Sequence, residues 1–305
     1  MQAKEVSRSL DILARASLGR RRFLSQAGLV GLATLSTVAA GGSRTAFAQQ
    51  ESQGERTEEY EQSKDTVKEI FTAALIAEDL ATTFYFNGLI GPVIQDPNLA
   101  GPGGSASNVT SAGNAGNVNY LQAALSEEIS HANLFRSLLA IAEPGDDPVQ
   151  TFYFPAGSFD TLAAFLGLLN ALENAFIGAY LNAIQEFSVK SEIRRNDWNG
   201  RHGSDDDANY TAGQLDYFAK VAASILGIEA EHRVLGRVIG NSNPANNLAY
   251  EQTGGLNAVY NGPNSAVAAL TPFLTSSTGP GYSFAAALAD QGTVSLPVTG
   301  NPPAY

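Results

Sequence analysis

The chain has 305 residues and no cysteine, so disulfides, thiolate zinc sites, iron–sulfur clusters and cysteine nucleophiles are excluded. Its 18 basic and 30 acidic residues give a net charge of −12, which argues against nucleic-acid backbones and anionic membranes as partners. The length allows one large domain or two small ones, with ample chain for a real hydrophobic core.

Residues 1–48 read as a targeting segment. Gly19-Arg20-Arg21-Arg22-Phe23-Leu24 precedes an apolar run from Ala27 to Ala40, and Ala46-Phe47-Ala48 makes a small-x-small cleavage pattern before Gln49. A basic region, a short apolar region and such a site make an export signal. The run is too short to span a bilayer comfortably. Arg20-Arg21 followed by Phe23-Leu24 resembles the twin-arginine signal of bacteria, which implies export of an already folded protein to a periplasmic or extracellular destination. Seven of the 18 basic and two of the 30 acidic residues lie in this segment, so cleavage leaves 11 and 28, a net charge of −17. That balance suits a cation-binding protein with no stable membrane span.

Residues 49–62 are polar and without periodicity, a leader rather than part of a core. Helical character begins at Ser63 and runs to Leu89, with Val67, Ile70, Phe71, Ala74, Glu78, Ala81, Tyr85 and Leu89 at steps of three and four. Gly91-Pro92 stops it. A long loop rich in Gly, Pro, Asn and Ser follows over 91–116. Periodicity returns at Leu121, Leu125, Glu128, His131, Ala132, Phe135 and Leu138, and Pro144-Gly145 closes it. The connection over 143–158 holds a short extended piece, Thr151–Phe154. A third helix spans about Phe159 to Lys190, with Ser158 or Asp160 as its cap and Leu162, Phe165, Leu169, Glu173, Phe176, Tyr180 and Ile184 on one face. After a charged, turn-rich stretch the fourth helix runs from about Thr211 to Gly240. Its stripe is the cleanest: Leu215, Phe218, Ala222, Ile225, Glu229, His232, Gly236 and Ile239. Residues 241–305 form an extension rich in Gly, Pro, Asn, Ser and Thr, with short Ala-rich helical pieces at 264–274 and 283–290, wrapping the bundle rather than forming a domain. The organisation is thus an all-α four-helix bundle over 63–240 with long loops, no convincing strand pairs and an irregular C-terminal extension.

The halves repeat. Glu78 and Tyr85 are seven apart, as are Glu173 and Tyr180, and each of these helices is followed by one carrying Glu-x-x-His (Glu128/His131 and Glu229/His232). Residues three apart on a helix share a face, so each pair can reach one ion. Taken alone, either motif also reads as a solvated pair. The stripes argue otherwise, because all four glutamates fall among the apolar positions and would point into one core. Buried carboxylates without compensation are costly, and two divalent cations balance four of them. Iron, manganese and zinc all accept carboxylate and imidazole.

A single Glu on two helices and Glu-x-x-His on the other two is the inward-facing set of ferritin-like di-iron and di-manganese bundles. The sequence resembles that superfamily. More closely, it resembles an exported ferritin-like domain family that includes desiccation-related proteins. The residues concerned are ALIAEDLATTFY (74–85), LSEEISHANLFRSL (125–138), FYFPAGSFD (152–160), LAAFLGLLNALENAFIGAYLNA (162–183) and AASILGIEAEHRVLGR (222–237). The resemblance implies Glu78, Glu128, His131, Glu173, Glu229 and His232 as ligands of two Fe or two Mn ions, with Glu128 and Glu229 bridging. Tyr85 and Tyr180, two turns from Glu78 and Glu173, are core residues or hydroxyls near the ions. Glu127 and Glu231 lie about 100° off the stripe and read as surface residues. His202 with Asp205, Asp206 and Asp207 reads as a solvated turn or a weak external cation site.

Two readings follow from these residues. One is a di-metal oxidoreductase reacting with oxygen or peroxide, in a ferroxidase-, peroxidase- or catalase-like protective role. The other is a non-enzymatic, stress-associated or desiccation-related protein that uses metal for stability alone, or none. The loops and the extension argue against an iron-storing shell. Nothing in the sequence chooses iron over manganese or sets the oligomeric state.

Overall fold

A computed structural model describes residues 65–196, 207, 209–242 and 266–296. The targeting segment, the leader, Trp198, His202, Asp205 and Asp206 lie outside the described residues. Four long helices carry the fold: α1 (Val67–Ile90), α2 (Ala115–Leu139), α3 (Leu162–Asn196) and α4 (Ala212–Ile239).

Local chemistry sets where they begin. Thr66 closes a capping box with Glu69, so α1 starts at Val67 rather than at Ser63. Thr211 does the same with Gln214 for α4. The side chain of Asn114 accepts from the Asn117 amide, so α2 begins six residues before its apolar periodicity does. The first turn of α3 is capped by Thr161, whose hydroxyl accepts from the Ala164 amide at 3.2 Å. Neither Ser158 nor Asp160 is that cap; the Ser158 hydroxyl instead donates to the Pro155 carbonyl at 2.7 Å.

Side-chain pairs give the helix directions. Tyr85 pairs with Glu173 and Tyr180 with Glu78, so numbering rises along α1 as it falls along α3, and the two are antiparallel. Arg233 bonds Asn174 while Ser191 bonds Asp216, which makes α3 and α4 antiparallel. His232 meets Glu128 and His131 meets Glu229, so α2 and α4 are antiparallel as well. Hence α2 and α3 run the same way, and residues 140–161 must cross the length of the bundle between them.

That crossover holds β1 (Thr151–Tyr153), which pairs antiparallel with β2 (Gly281–Ser283) from the C-terminal extension. This pairing corrects the expectation of no strand pairs, although the all-α architecture stands. The extension also supplies α5 (Ala266–Leu270), packed on α3, and α6 (Phe284–Asp290), packed on α1. Phe152 and Phe154 of the crossover and Phe273 and Phe284 of the extension are buried together. Their cover explains why every residue of α1 from Leu75 to Phe86 is buried, where an uncovered bundle helix would keep a polar outer face. By length and composition α3 could cross a membrane, but Phe165, Leu169, Leu172, Phe176 and Tyr180 are buried in the bundle.

The core has two apolar clusters. One gathers Leu80, Phe84, Tyr85, Leu125, Phe154, Phe165 and Leu172, and the other Phe71, Leu75, Phe135, Tyr180, Phe187, Phe218 and Ile225. Between them lies a polar layer.

Candidate metal centre

Each long helix contributes to that layer from within its apolar stripe. Glu78, Glu128, Glu173 and Glu229 are at most 2% exposed, as is His232, while His131 keeps 13%. The donor atoms fall into two sets, Glu78, Glu128, His131 and Glu229 in one and Glu128, Glu173, Glu229 and His232 in the other. Within each set, one atom per residue lies within 4.8 Å of every other. Glu128 and Glu229 belong to both sets. All six residues singled out in the sequence therefore converge.

The tyrosines cross over. Tyr85 of α1 donates to Glu173 Oε1 of α3 at 2.6 Å, and Tyr180 of α3 donates to Glu78 Oε1 of α1. Each hydroxyl occupies one oxygen of a glutamate and leaves the other facing the layer. Burial and the adjacent carboxylates push both phenols well above their ordinary value, so they stay protonated donors.

The electrostatics are those of a crowded anionic layer. Burial raises Glu128, and Glu78 adds to the rise. Burial also holds Glu173 well above the ordinary carboxylate range, with Glu229 next in effect. Burial opposes charge on His131, but Glu78, Glu128 and Glu229 outweigh it and hold the imidazolium well above the usual histidine value. Glu127, Glu128 and Glu229 do the same for His232 against its burial.

Sequence reasoning missed the role of Glu127. Its carboxylate is 43% exposed yet accepts from His232 Nε2 at 2.8 Å, while His232 Nδ1 faces the layer. A carboxylate on the outer nitrogen fixes the ring and its tautomer and raises the basicity of the inner nitrogen. Glu231 is exposed, as read. Asp207 is not part of an external cation cluster among the described residues. Its Oδ1 accepts from the Val67 amide at 2.9 Å and its Oδ2 from Lys190 at 2.9 Å, so it caps α1.

The donor set fits metal binding. Both oxygens of Glu128, both of Glu229, Glu173 Oε2 and His232 Nδ1 are buried without a hydrogen-bond partner. Orphaned polar atoms at this density are otherwise costly, and carboxylate with imidazole is a donor set for divalent transition metals.

A second buried cluster lies alongside. Arg136, 4% exposed, donates to Asp147 through Nε at 2.7 Å, to Asp79 at 2.7 Å and to Asn133 at 2.8 Å. Its guanidinium sits 5.4 Å from the centre of the Phe284 ring. Burial holds Asp79 well above the carboxylate range, and Asp147 adds to the rise. Arg136 stands between the two carboxyls and offsets their charge.

Residues 66–195 match the model of a family described as a ferritin-like domain. The match spans α1 to α3 and stops before α4, which brings Glu229 and His232. With the bundle's up-down-down-up course it supports the ferritin-like superfamily, and the fold is that of a ferritin-like bundle. No curated protein and no solved structure matches the chain.

Proposed function

We propose that this chain is an exported ferritin-like protein whose Glu78, Glu128, His131, Glu173, Glu229 and His232 hold two iron or two manganese ions, and that the loaded centre reacts with dioxygen or peroxide. The observation that carries the reading is the convergence of four buried carboxylates, of which Glu128, Glu173 and Glu229 present inward oxygens with no hydrogen-bond donor. Glu128 and Glu229, common to both donor sets, would serve both ions, and Glu78 and Glu173 would each offer the oxygen its tyrosine leaves free. A bound redox-active pair supplies electrons for reducing the oxidant. The chain's part is to exclude water, to balance the ionic charge with carboxylates, and to hold a proton on each of Tyr85 and Tyr180 beside the layer. The twin-arginine-like segment suits this reading, because it implies export after the ions are in place.

One observation favours the non-enzymatic alternative, a stress-associated bundle stabilised by its ions. Five of the six residues are at most 2% exposed, and the edge of His131 is the approach among the described residues. Metal analysis after anaerobic purification with iron or manganese supplied tests the central claim. About two ions per chain are expected, and fewer than one rejects it. Oxygen and peroxide consumption, measured beside melting with and without chelator, separates the two roles: stabilisation without turnover selects the structural one.

A further inference from the structure

A repeated hairpin would make the two halves of the centre equal, but the surroundings of the donors are not. Resting on the reading of the layer as a two-ion centre, we infer that Glu128, Glu173, Glu229 and His232 take up a divalent ion first and hold it. The set Glu78, Glu128, His131 and Glu229 then takes the second, exchangeable ion.

Three observations carry the inequality. The first is how the private donors of each half are satisfied. Glu173 Oε2 and His232 Nδ1 have no hydrogen-bond partner. His232 Nδ1 lies 2.9 Å from Glu128 Oε1 but without the alignment a hydrogen bond needs. In the other half, Glu78 Oε2 and His131 Nδ1 satisfy each other at 3.2 Å. An ion entering the first half relieves orphaned atoms, whereas one entering the second must displace an existing contact.

The second is the outer support. Glu127, one residue before Glu128, holds His232 Nε2. The corresponding residue before Glu229 is Ile228, which has no acceptor for His131. The third is access. His232 is 3% exposed and His131 13%, so the His131 half exchanges with solvent more readily. All three point the same way.

The experiment is a titration of the full chain with Co(II), followed by calorimetry and by visible absorption, with circular dichroism melting as a control for folding. The wild type should bind in two resolved steps. His131→Ala should keep the tighter step and lose the weaker. His232→Ala should lose the tighter. Glu127→Gln, which keeps the shape, should weaken the tighter step about 10–100-fold and leave the weaker within about twofold. Two indistinguishable steps in the wild type, loss of the tighter step in His131→Ala, or equal weakening of both steps in Glu127→Gln would overturn the inequality. Binding of fewer than one Co(II) per chain would instead reject the two-ion reading, and the inequality with it.

Discussion

Replacing Arg136 by Met tests the buried cluster beside the layer. The side chain ties α1 through Asp79, the crossover through Asp147 and its own helix through Asn133, and it packs against Phe284 of the extension. Methionine keeps much of the apolar stem but leaves the Asp147 charge buried without a partner. Removing one member of such a pair costs about 3–5 kcal/mol, which in a domain of this size lowers Tm by roughly 6–20 °C. The pH dependence adds a sign. Without the guanidinium, Asp147 is pushed further above its ordinary value and the fold favours its protonated form. The deficit should therefore grow as pH rises and shrink toward acid. Denaturant unfolding at several pH values measures it. Arg136→Met within 1 kcal/mol of wild type at neutral pH, or a deficit that grows toward acid, would refute the reasoning.

Burial, then Glu186, raises Asp65 from 3.8 to about 9. Its folded form favours the proton, so wild-type stability is lost as pH rises between those values. Asp65→Asn should melt higher than wild type near pH 8 and converge with it near pH 4, and a lower melting point near pH 8 would contradict this. At Gly88 a Cβ would stand 2.4 Å from Phe165 Cε2, on a ring stacked against Phe84. Overpacking of about 1–3 kcal/mol should outweigh the helix-propensity gain of about 1 kcal/mol. Gly88→Ala should thus lower the urea midpoint; a raised midpoint would mean that the ring moves freely. Stripping Mn(II) from loaded protein with a chelator should lower Tm, and Mn(II) affinity should rise with pH because the His131 and His232 imidazoles, held well above the usual histidine value by the carboxylates around them, must shed their protons to bind it. An affinity flat from about pH 6 to 8 would speak against ligation by these groups.

The four long helices and the convergence of Glu78, Glu128, Glu173 and Glu229 were legible because 3-4 spacing on one helix is a local property. Glu127 was not. On the α2 wheel it lies off the stripe, but α4 crosses so that His232 Nε2 reaches that edge, and one helix read alone carries no signal of what its neighbour extends toward it. The start of α2 was missed because Ala115 to Tyr120 lacks apolar periodicity and is set by Asn114. The β1–β2 pair joins residues some 130 positions apart, in a composition rich in turn formers, so neither strand announced its partner. Arg136 and Asp79 look like solvated helix charges until the crossover and extension bury them.

The crossed tyrosine–glutamate pairs and the two donor sets share a property: none is complete within one hairpin. Tyr85 needs Glu173, Tyr180 needs Glu78, and each four-donor set draws on α2 and α4 together. The same geometry could be produced by two identical hairpins meeting about a two-fold axis, where every contact is made twice. Such a dimer must carry a carboxylate behind both histidines or behind neither. Joining the hairpins in one chain lifts that constraint. Glu127 and Ile228 differ because covalent continuity lets two related halves of one centre acquire different chemistry.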